Sequence, residues 1–453
     1  MEFINLTRGT EIGANSYLIR SRKRALVFDA GMHPKCEGQA ALPDFSHIPE
    51  GKLDAVFITH AHQDHIGALP VLTQRERQAR VFMSQPTSEI ADIMLHNSVN
   101  VMQHQSKEGR GDPLFTHRGV DLSQNAWQPC RMLTRYSFDG ERASTAEDNF
   151  EFHHAGHILG ASGVKITLEG KTIFYTGDVN FENQTLIRGA QFPTKGVDVL
   201  IMETTRGDQA TPPGFTRAKE EDRLGEAILE AFATDSAVTI PVFALGKTQE
   251  LLAMLWRLQE RGAIPRVPLY IGGLSNSISK LYDEHSKDAQ RIHSEFTVRK
   301  EADPFIMLRG DLANAKVRKR AIYALSSGMM TENTGSNLFA RKILADPAQH
   351  LFFIGYSDPD SPAGKVRATE QGAPVFLDEA SPPLPLNCNI SEFSFSSHAS
   401  REGLLNYATK LSPKKIILVH GDPSALDWFH ESLRRVLPNT EVIIAEPGQP
   451  IAL

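Results

Sequence analysis

Phe57-Ile58-Thr59-His60-Ala61-His62-Gln63-Asp64-His65-Ile66-Gly67 reads as a buried strand running into a tight turn crowded with metal ligands. The apolar run over 55–58 is short and bounded by polar residues, which favours a strand. Ile66-Gly67-Ala68-Leu69 opens a helical pattern, so the ligands fall at a strand-to-helix junction. His60 and His62, two residues apart at a strand end, point the same way and can share one ion. Asp64 and His65 follow at once. Four side chains able to bind zinc or manganese within six residues exceed the needs of one ion and predict a site for two neighbouring ions. A histidine-rich polar loop is the bland alternative, and further ligands downstream are what would displace it.

The chain around this stretch has 453 residues, too many for one ordinary core, so two domains or one large domain with an insertion are expected. A composition of 41% hydrophobic and 23% charged residues is that of a globular protein. No apolar run approaches the roughly eighteen residues of a membrane span, and the start lacks a basic segment followed by an apolar one. A cytoplasmic protein without a membrane partner is the simplest expectation. The three cysteines, Cys36, Cys130 and Cys388, are scattered and suggest neither a disulfide framework nor a thiolate zinc site. The net charge of −6 argues against a surface coated in positive charge for nucleic acid, but not against a narrow basic channel.

Upstream, short strands over 15–19 and 24–28 flank a basic turn, and Asp29-Ala30-Gly31 ends the second of them. Asp29 is either a turn aspartate or a carboxylate that orients a neighbouring metal ligand. Downstream, a helix is expected from Ile66 to about Arg77, a strand over 80–83 and a long helix over about 87–105. In His153-His154-Ala155-Gly156-His157-Ile158-Leu159-Gly160, the histidine between two glycines has the turning freedom to approach a metal, which selects His157 over His153 and His154. A hairpin over 164–175 ends in Thr176-Gly177-Asp178, where Asp178, at the end of a buried strand, can bridge two cations. The apolar run over 197–202 delivers Glu203-Thr204-Thr205. From Pro212-Pro213 onward, strands and helices alternate up to about Gly355, an α/β pattern with an expected parallel sheet. The chain then returns to ligands: His398 precedes a helix, and the strand over 415–419 presents His420 as the ligand still wanting for a second ion. A strand over 442–445 and a short tail follow.

His60-x-His62-x-Asp64-His65 with His157, Asp178 and His420 resembles the metal site of the metallo-β-lactamase superfamily. Glu203-Thr-Thr, Pro241-Val-Phe-Ala-Leu-Gly-Lys-Thr-Gln-Glu250, Ser326-Ser-Gly-Met-Met330 and Phe395-Ser-Ser-His398 resemble motifs of its β-CASP nucleases. The resemblance spans nearly the whole chain. It implies an α/β fold in which a metallo-β-lactamase αββα sandwich, residues 1–207 and 384–453, carries an inserted α/β β-CASP cap over 208–383, with the substrate channel between them. It further implies that His60, His62 and His157 hold one zinc, and that Asp64, His65 and His420 hold the other, with Mn2+ as the alternative metal. Asp178 would lie between the ions and Asp29 behind the ligands. His398 would give a proton to the leaving oxygen, Glu203 would orient it, and Asp64 would be catalytic as well as a ligand. Lys247, Ser327 and Gly328, with the glycine of Ile354-Gly-Tyr356, would contact substrate phosphates through a cation and exposed backbone N–H groups, although such glycines also occur for backbone reasons alone. Arg206 stands where relatives usually have tyrosine, Ser400 where they commonly have aspartate, and Tyr356-Ser-Asp-Pro-Asp360 is more acidic than the usual loop.

The activity so implied is two-metal hydrolysis of single-stranded RNA, endo- or exonucleolytic, by a monomer or a homodimer. The competing readings are a DNA nuclease with the same site, a small-molecule thioesterase or lactonase whose cap is only a lid, and a non-catalytic binding partner. A thiolate or carboxylate leaving group needs little protonation, so His398 and Glu203 separate the nuclease readings from the small-molecule one. The presence of every ligand ranks the non-catalytic reading last.

Overall fold

A computed structural model describes residues 1–144, 148–287, 290–378 and 381–453. The chain divides into two compact units: Met1–Asn183 with Gly189–Thr211 and His398–Leu453, and Gln184–Arg188 with Pro212–Ser397. Among the described residues no helix is long and apolar enough to cross a membrane.

In the first unit, two seven-stranded sheets are found among the described residues. One runs in the order Pro450–Ala452, Glu2–Asn5, Tyr17–Arg20, Ala25–Phe28, Ala55–Phe57, Arg80–Ser84, Trp127–Cys130; the other runs Glu441–Ile444, Lys415–Val419, Val199–Glu203, Lys171–Tyr175, Ser162–Leu168, Asn149–His154, Arg135–Tyr136. Aromatic side chains from the two sheets meet in the core between them. Phe57 packs edge-on against Phe150 at 4.9 Å between ring centroids, and Tyr175 against Phe28 at 5.6 Å. Such rings bury large apolar areas and hold the two layers in register. The central strands are apolar without alternation because their outer faces are covered too. Helix Arg401–Leu411 places Leu404, Tyr407, Ala408 and Leu411, spaced three, four and seven apart, over the outer face of the second sheet against Leu200, Met202 and Leu418.

The second unit is built on a six-stranded sheet, again among the described residues, in the order Phe305–Met307, Leu269–Gly272, Ile322–Leu325, Val238–Pro241, His350–Phe353, Asn389–Glu392. Every pairing within it is parallel, as the strand-helix alternation predicts. Helices Arg217–Ala233, Lys247–Glu260, Gly273–Glu284 and Gly335–Ile343 join or flank its strands.

Two local expectations differ from what is found. The helix after the histidine cluster begins at Gln63, not Ile66, so Asp64 and His65 sit in its single turn, Gln63–Ile66, and a second helix, Leu69–Arg75, follows. The first helix stops because the backbone carbonyls of Asp64 and His65 are taken by the N–H groups of Asn15 (2.9 Å) and Ala30 (2.8 Å). That close approach requires glycine at 31, where a Cβ would lie 1.7 Å from the Asp64 carbonyl oxygen. The second difference is the last segment, expected as a tail. Pro450–Ala452 forms a strand that pairs antiparallel with Glu2–Asn5, Glu2 facing Ala452.

Candidate metal centre

Within the first unit the chemistry-bearing side chains come from strand ends. His60 lies three residues beyond Ala55–Phe57, Asp178 three beyond Lys171–Tyr175 and His157 three beyond Asn149–His154; His420 directly follows Lys415–Val419, and Glu203 ends Val199–Glu203. A strand end frees a side chain from the ladder while the sheet still fixes its backbone.

These residues meet in two groups. His60, His62, His157 and Asp178 bring donor atoms within 4.8 Å of one another, and so do Asp64, His65 and His420. In the first group His62 Nδ1 lies 3.1 Å from both His60 Nε2 and His157 Nε2. In the second, Asp64 Oδ2 lies 3.6 Å from His65 Nε2 and 3.5 Å from His420 Nε2. Asp178 divides its carboxylate between them. Its Oδ2 is 3.5 Å from His60 and 3.6 Å from His157, and its Oδ1 is 3.3 Å from His65 and 2.9 Å from His420.

Behind the ligands stands Asp29, fully buried and held at φ 56°. A left-handed aspartate is strained by about 1 kcal/mol or more and persists only where its surroundings over-determine it. Here its N–H donates to the Phe57 carbonyl, and its own carbonyl accepts from the Ser16 hydroxyl. Its Oδ2 accepts from His65 Nδ1 at 2.8 Å and from the Tyr175 hydroxyl at 2.8 Å. The Thr59 backbone N–H donates to Oδ1 at 2.8 Å. The Thr59 hydroxyl, within 3.0 Å of both oxygens, also lies 3.1 Å from His60 Nδ1. These contacts assign the Nδ1 proton of each imidazole to the rear and leave Nε2 bare toward the centre. His420, at φ 50°, is the second strained residue of the site; its carbonyl accepts from the Thr204 N–H at 3.0 Å.

Charge is distributed unevenly. Burial, with His65 nearby, pushes His60 well below the ordinary imidazole range, and burial lowers His62 as well. In the second group burial acts in the same sense but loses: Asp178, Asp29 and Asp64 lift His65 well above its usual value, and Asp178 with Asp64 lifts His420 to about 10. Against its own burial, Asp64 is held down to about 2, chiefly by His65 and His420.

This donor set fits a metal. Bare imidazole nitrogens 3.1 Å apart repel unless a proton or cation lies between them, and the lowered proton affinities favour the cation. Asp178 Oδ1 and His420 Nε2 are buried with no hydrogen-bond partner among the described residues, the 2.9 Å approach of the His420 ring being out of alignment. Buried polar atoms left this way are costly unless something else binds them.

Beside the ligands, His398 sets Nδ1 3.1 Å from Glu203 Oε2 and Nε2 3.8 Å from Asp178 Oδ2. Glu203 is buried, and its Oε1 also accepts from the Val179 N–H at 2.7 Å. Glu203 also lies within 4.8 Å of donor atoms of Asp178 and His420, but its two oxygens are engaged by His398 Nδ1 and the Val179 N–H.

Lys247, Ser327 and Gly328 belong to the second unit. There the Lys247 ammonium donates to the Phe395 carbonyl. Ser327 Oγ accepts from the Thr331 N–H, and a Cβ at Gly328 would meet the Phe243 ring at 2.9 Å. Each therefore has a local role.

The sequence reading missed Thr59, Tyr175, Asn15 and Thr205. Asn15 Nδ2 lies 3.1 Å from His65 Nε2 and 3.4 Å from Asp64 Oδ2, and Thr205 Oγ1 lies 3.2 Å from His420 Nδ1. Thr59 and Thr205 adjoin predicted site residues, which is the one signal that could have found them.

Three family models match separate parts of the chain: the metallo-beta-lactamase superfamily over residues 9–84, the Beta-Casp domain over 248–366 and the Zn-dependent metallo-hydrolase RNA specificity domain over 383–445. The chain is 27% identical over 468 residues to cleavage and polyadenylation specificity factor subunit 3 of Dictyostelium discoideum, covering 100% of this chain and 57% of that protein. It is 28% identical over 452 residues to the endoribonuclease ysh1 of Schizosaccharomyces pombe, covering 98% and 57%. It thus spans a little over half the length of these curated relatives. A crystal structure of a protein of unknown function from Enterococcus faecalis V583 shares the fold, with a TM-score of 0.56 and 13% identity over 100% of both chains.

Proposed function

We propose, from the premise that this chain belongs to the metallo-β-lactamase superfamily and carries its Beta-Casp domain, that it is a hydrolase cutting single-stranded RNA with the help of two metal ions. The observation that carries this reading is the division of Asp178, one carboxylate oxygen toward each ligand group. Such sharing suits a pair of cations about 3.5–4 Å apart. His60, His62 and His157 would hold one ion and Asp64, His65 and His420 the other. Zinc suits the imidazole-rich first group, and the carboxylate of the second also suits manganese. What the cations supply when bound is Lewis acidity: a water of lowered pKa and offset of charge on the phosphodiester.

The chain's own residues do the rest. Asp29 and Thr59 fix the ring orientation of His65 and His60, so that neither must reorganise during turnover. Asp64, partly exposed and kept ionised by His65 and His420, accepts a hydrogen bond from the attacking water and orients it. His398 holds a proton at Nε2 and passes it to the departing oxygen, while Glu203 at Nδ1 fixes the tautomer and stabilises the imidazolium. That proton donor favours an alkoxide leaving group, as in a phosphodiester, over a thiolate or carboxylate. Lys247, Ser327 and Gly328 are proposed contacts to substrate phosphates; they sit beyond the carboxyl ends of parallel strands, where ligands of open α/β sheets bind. The insertion of 208–383 that we propose, between 1–207 and 384–453, is supported by the Beta-Casp match at 248–366 lying inside the second compact unit, but its far boundary moves: the strand Asn389–Glu392 pairs with His350–Phe353, and the second compact unit runs on to Ser397. RNA as substrate is supported by the RNA-specificity model over 383–445 and the endoribonuclease named among the relatives.

The test is incubation of zinc- or manganese-loaded protein with an end-labelled single-stranded RNA and its all-deoxy counterpart, beside the Asp64→Ala/His65→Ala variant. We expect internal cleavage of the RNA, little of the DNA, and loss of both in the variant. Equal activity in the variant would refute the site, and preference for the deoxy strand would refute the substrate.

A further inference from the structure

The turn that follows Glu203 carries one residue that neither the metal centre nor the fold uses. Thr204 N–H donates to the His420 carbonyl at 3.0 Å, and Gly207 N–H to the Thr204 carbonyl at 2.9 Å. A Cβ on Gly207 would meet the Ala425 carbonyl oxygen at 2.4 Å. The backbone of Arg206 is therefore clamped between the ligand His420 and the helix Pro423–Val436. Its side chain is half-buried. Among the described residues, its guanidinium makes no hydrogen bond and no ion pair. Arginines of this unit that likewise bond nothing, such as Arg22, Arg118 and Arg131, stand exposed.

A guanidinium taken partly out of water without a partner costs free energy that a bound anion would return. Burial already lowers its proton affinity, while Glu402, Glu182 and Glu203 act at longer range to restore it. Two of those carboxylates are engaged elsewhere. Glu203 serves His398 and the Val179 N–H. Glu402 accepts from Arg401 at 3.1 Å and from the Thr211 hydroxyl at 2.8 Å. Arg401 is itself committed, lying 4.5 Å over the Trp428 ring. Arg206 is thus the cation left over in this neighbourhood, one residue from Thr205, whose hydroxyl touches His420, and three from Glu203.

Resting on the nuclease reading above, we infer that Arg206 binds a substrate phosphate next to the scissile one, and so sets a requirement for a polymeric diester. The planar fork of arginine suits two phosphate oxygens at once.

The experiment measures cleavage of a single-stranded RNA by the wild-type, Arg206→Ala and Arg206→Lys proteins, all metal-loaded. A series of oligonucleotides, each with one neutral methylphosphonate on a 2′-O-methyl nucleotide, moves along the linkages flanking the cut. Hydrolysis of bis(p-nitrophenyl) phosphate, which has no neighbouring phosphate, is measured in parallel. We expect Arg206→Ala to raise KM for RNA about tenfold or more with kcat within about twofold, as befits a charge-assisted contact that does not change at the transition state. Arg206→Lys restores part of the loss. At one flanking linkage the neutral substitution makes wild type and Arg206→Ala equal, and the small diester does not distinguish them. Because the side chain bonds nothing, thermal unfolding is unchanged. An unchanged KM in Arg206→Ala, or a loss of the same size at every linkage and with the small diester, overturns this inference alone. A wild-type protein that cleaves the small diester but no RNA overturns the substrate reading and this inference with it.

Discussion

The two ligand groups that share Asp178 are built on different principles. In the first, three imidazoles face one another at 3.1 Å, and His60 is backed by a neutral hydroxyl, that of Thr59. In the second, a carboxylate, Asp64, joins two imidazoles, and His65 is backed directly by the carboxylate of Asp29. The proton affinities follow. Burial drives His60 and His62 down, while surrounding carboxylates overcome burial at His65 and His420. One group is thus a neutral pocket and the other an anionic one, and Asp29 supports both, His65 by direct contact and His60 through Thr59. A cation arriving at the second group must displace protons from basic imidazoles but finds carboxylates waiting. At the first group it finds imidazoles already bare.

The sharpest break of this comparison is Asp178→Ala, which removes the carboxylate that both groups share. It is expected to reduce bound metal below one ion per chain by elemental analysis, and to cost more turnover than any other change considered. A variant that keeps two ions would show that the groups bind independently of Asp178. Next comes His398→Ala, which belongs to neither group. RNA cleavage should fall by about 10²–10⁴-fold, the usual yield of a positioned general acid, with metal content unchanged; a fall in metal content would place His398 among the ligands. Asp29→Asn keeps the shape but weakens the backing of His65, and affinity at the second group should drop about 10–100-fold. Titration with a chromophoric chelator competitor should then show one weakened ion and one unaltered; two equally weakened ions would mean that Asp29 acts equally through Thr59. The smallest effect is expected from Thr59→Val, which removes only the hydroxyl behind His60. It should weaken the first group by about 1 kcal/mol, the worth of one neutral hydrogen bond. Weakening of the second group alone would reverse the assignment.

How much of this was legible beforehand follows from how far apart the partners lie in sequence. His60, His62, Asp64 and His65 announce themselves because four donors crowd one strand end, and Asp178 and His420 because they lie three residues beyond and directly after an apolar run. Asp29 could be suspected for the same reason. Tyr175 and Thr59 could not be assigned to it, since their contacts join positions 146 and 30 residues away. The break after the single turn Gln63–Ile66 escaped a periodicity reading because it is decided by backbone partners, the N–H groups of Asn15 and Ala30, that lie far upstream in the sequence. The pairing of Pro450–Ala452 with Glu2–Asn5 escaped it because three residues are too few to carry a pattern. The parallel sheet of the second unit was legible because its strands and helices alternate in simple order. Lys247, Ser327 and Gly328 were read as substrate contacts without sight of the local partners that Phe395, Thr331 and Phe243 provide.

The central claim is that the two groups hold two ions with Asp178 between them. Crystals of the zinc-loaded protein, measured on both sides of the zinc absorption edge, test it most directly. The account predicts two anomalous peaks about 3.5–4 Å apart, one bounded by His60, His62 and His157, the other by Asp64, His65 and His420, with an oxygen of Asp178 against each. A single peak, or two peaks of which either lies away from Asp178, would contradict it.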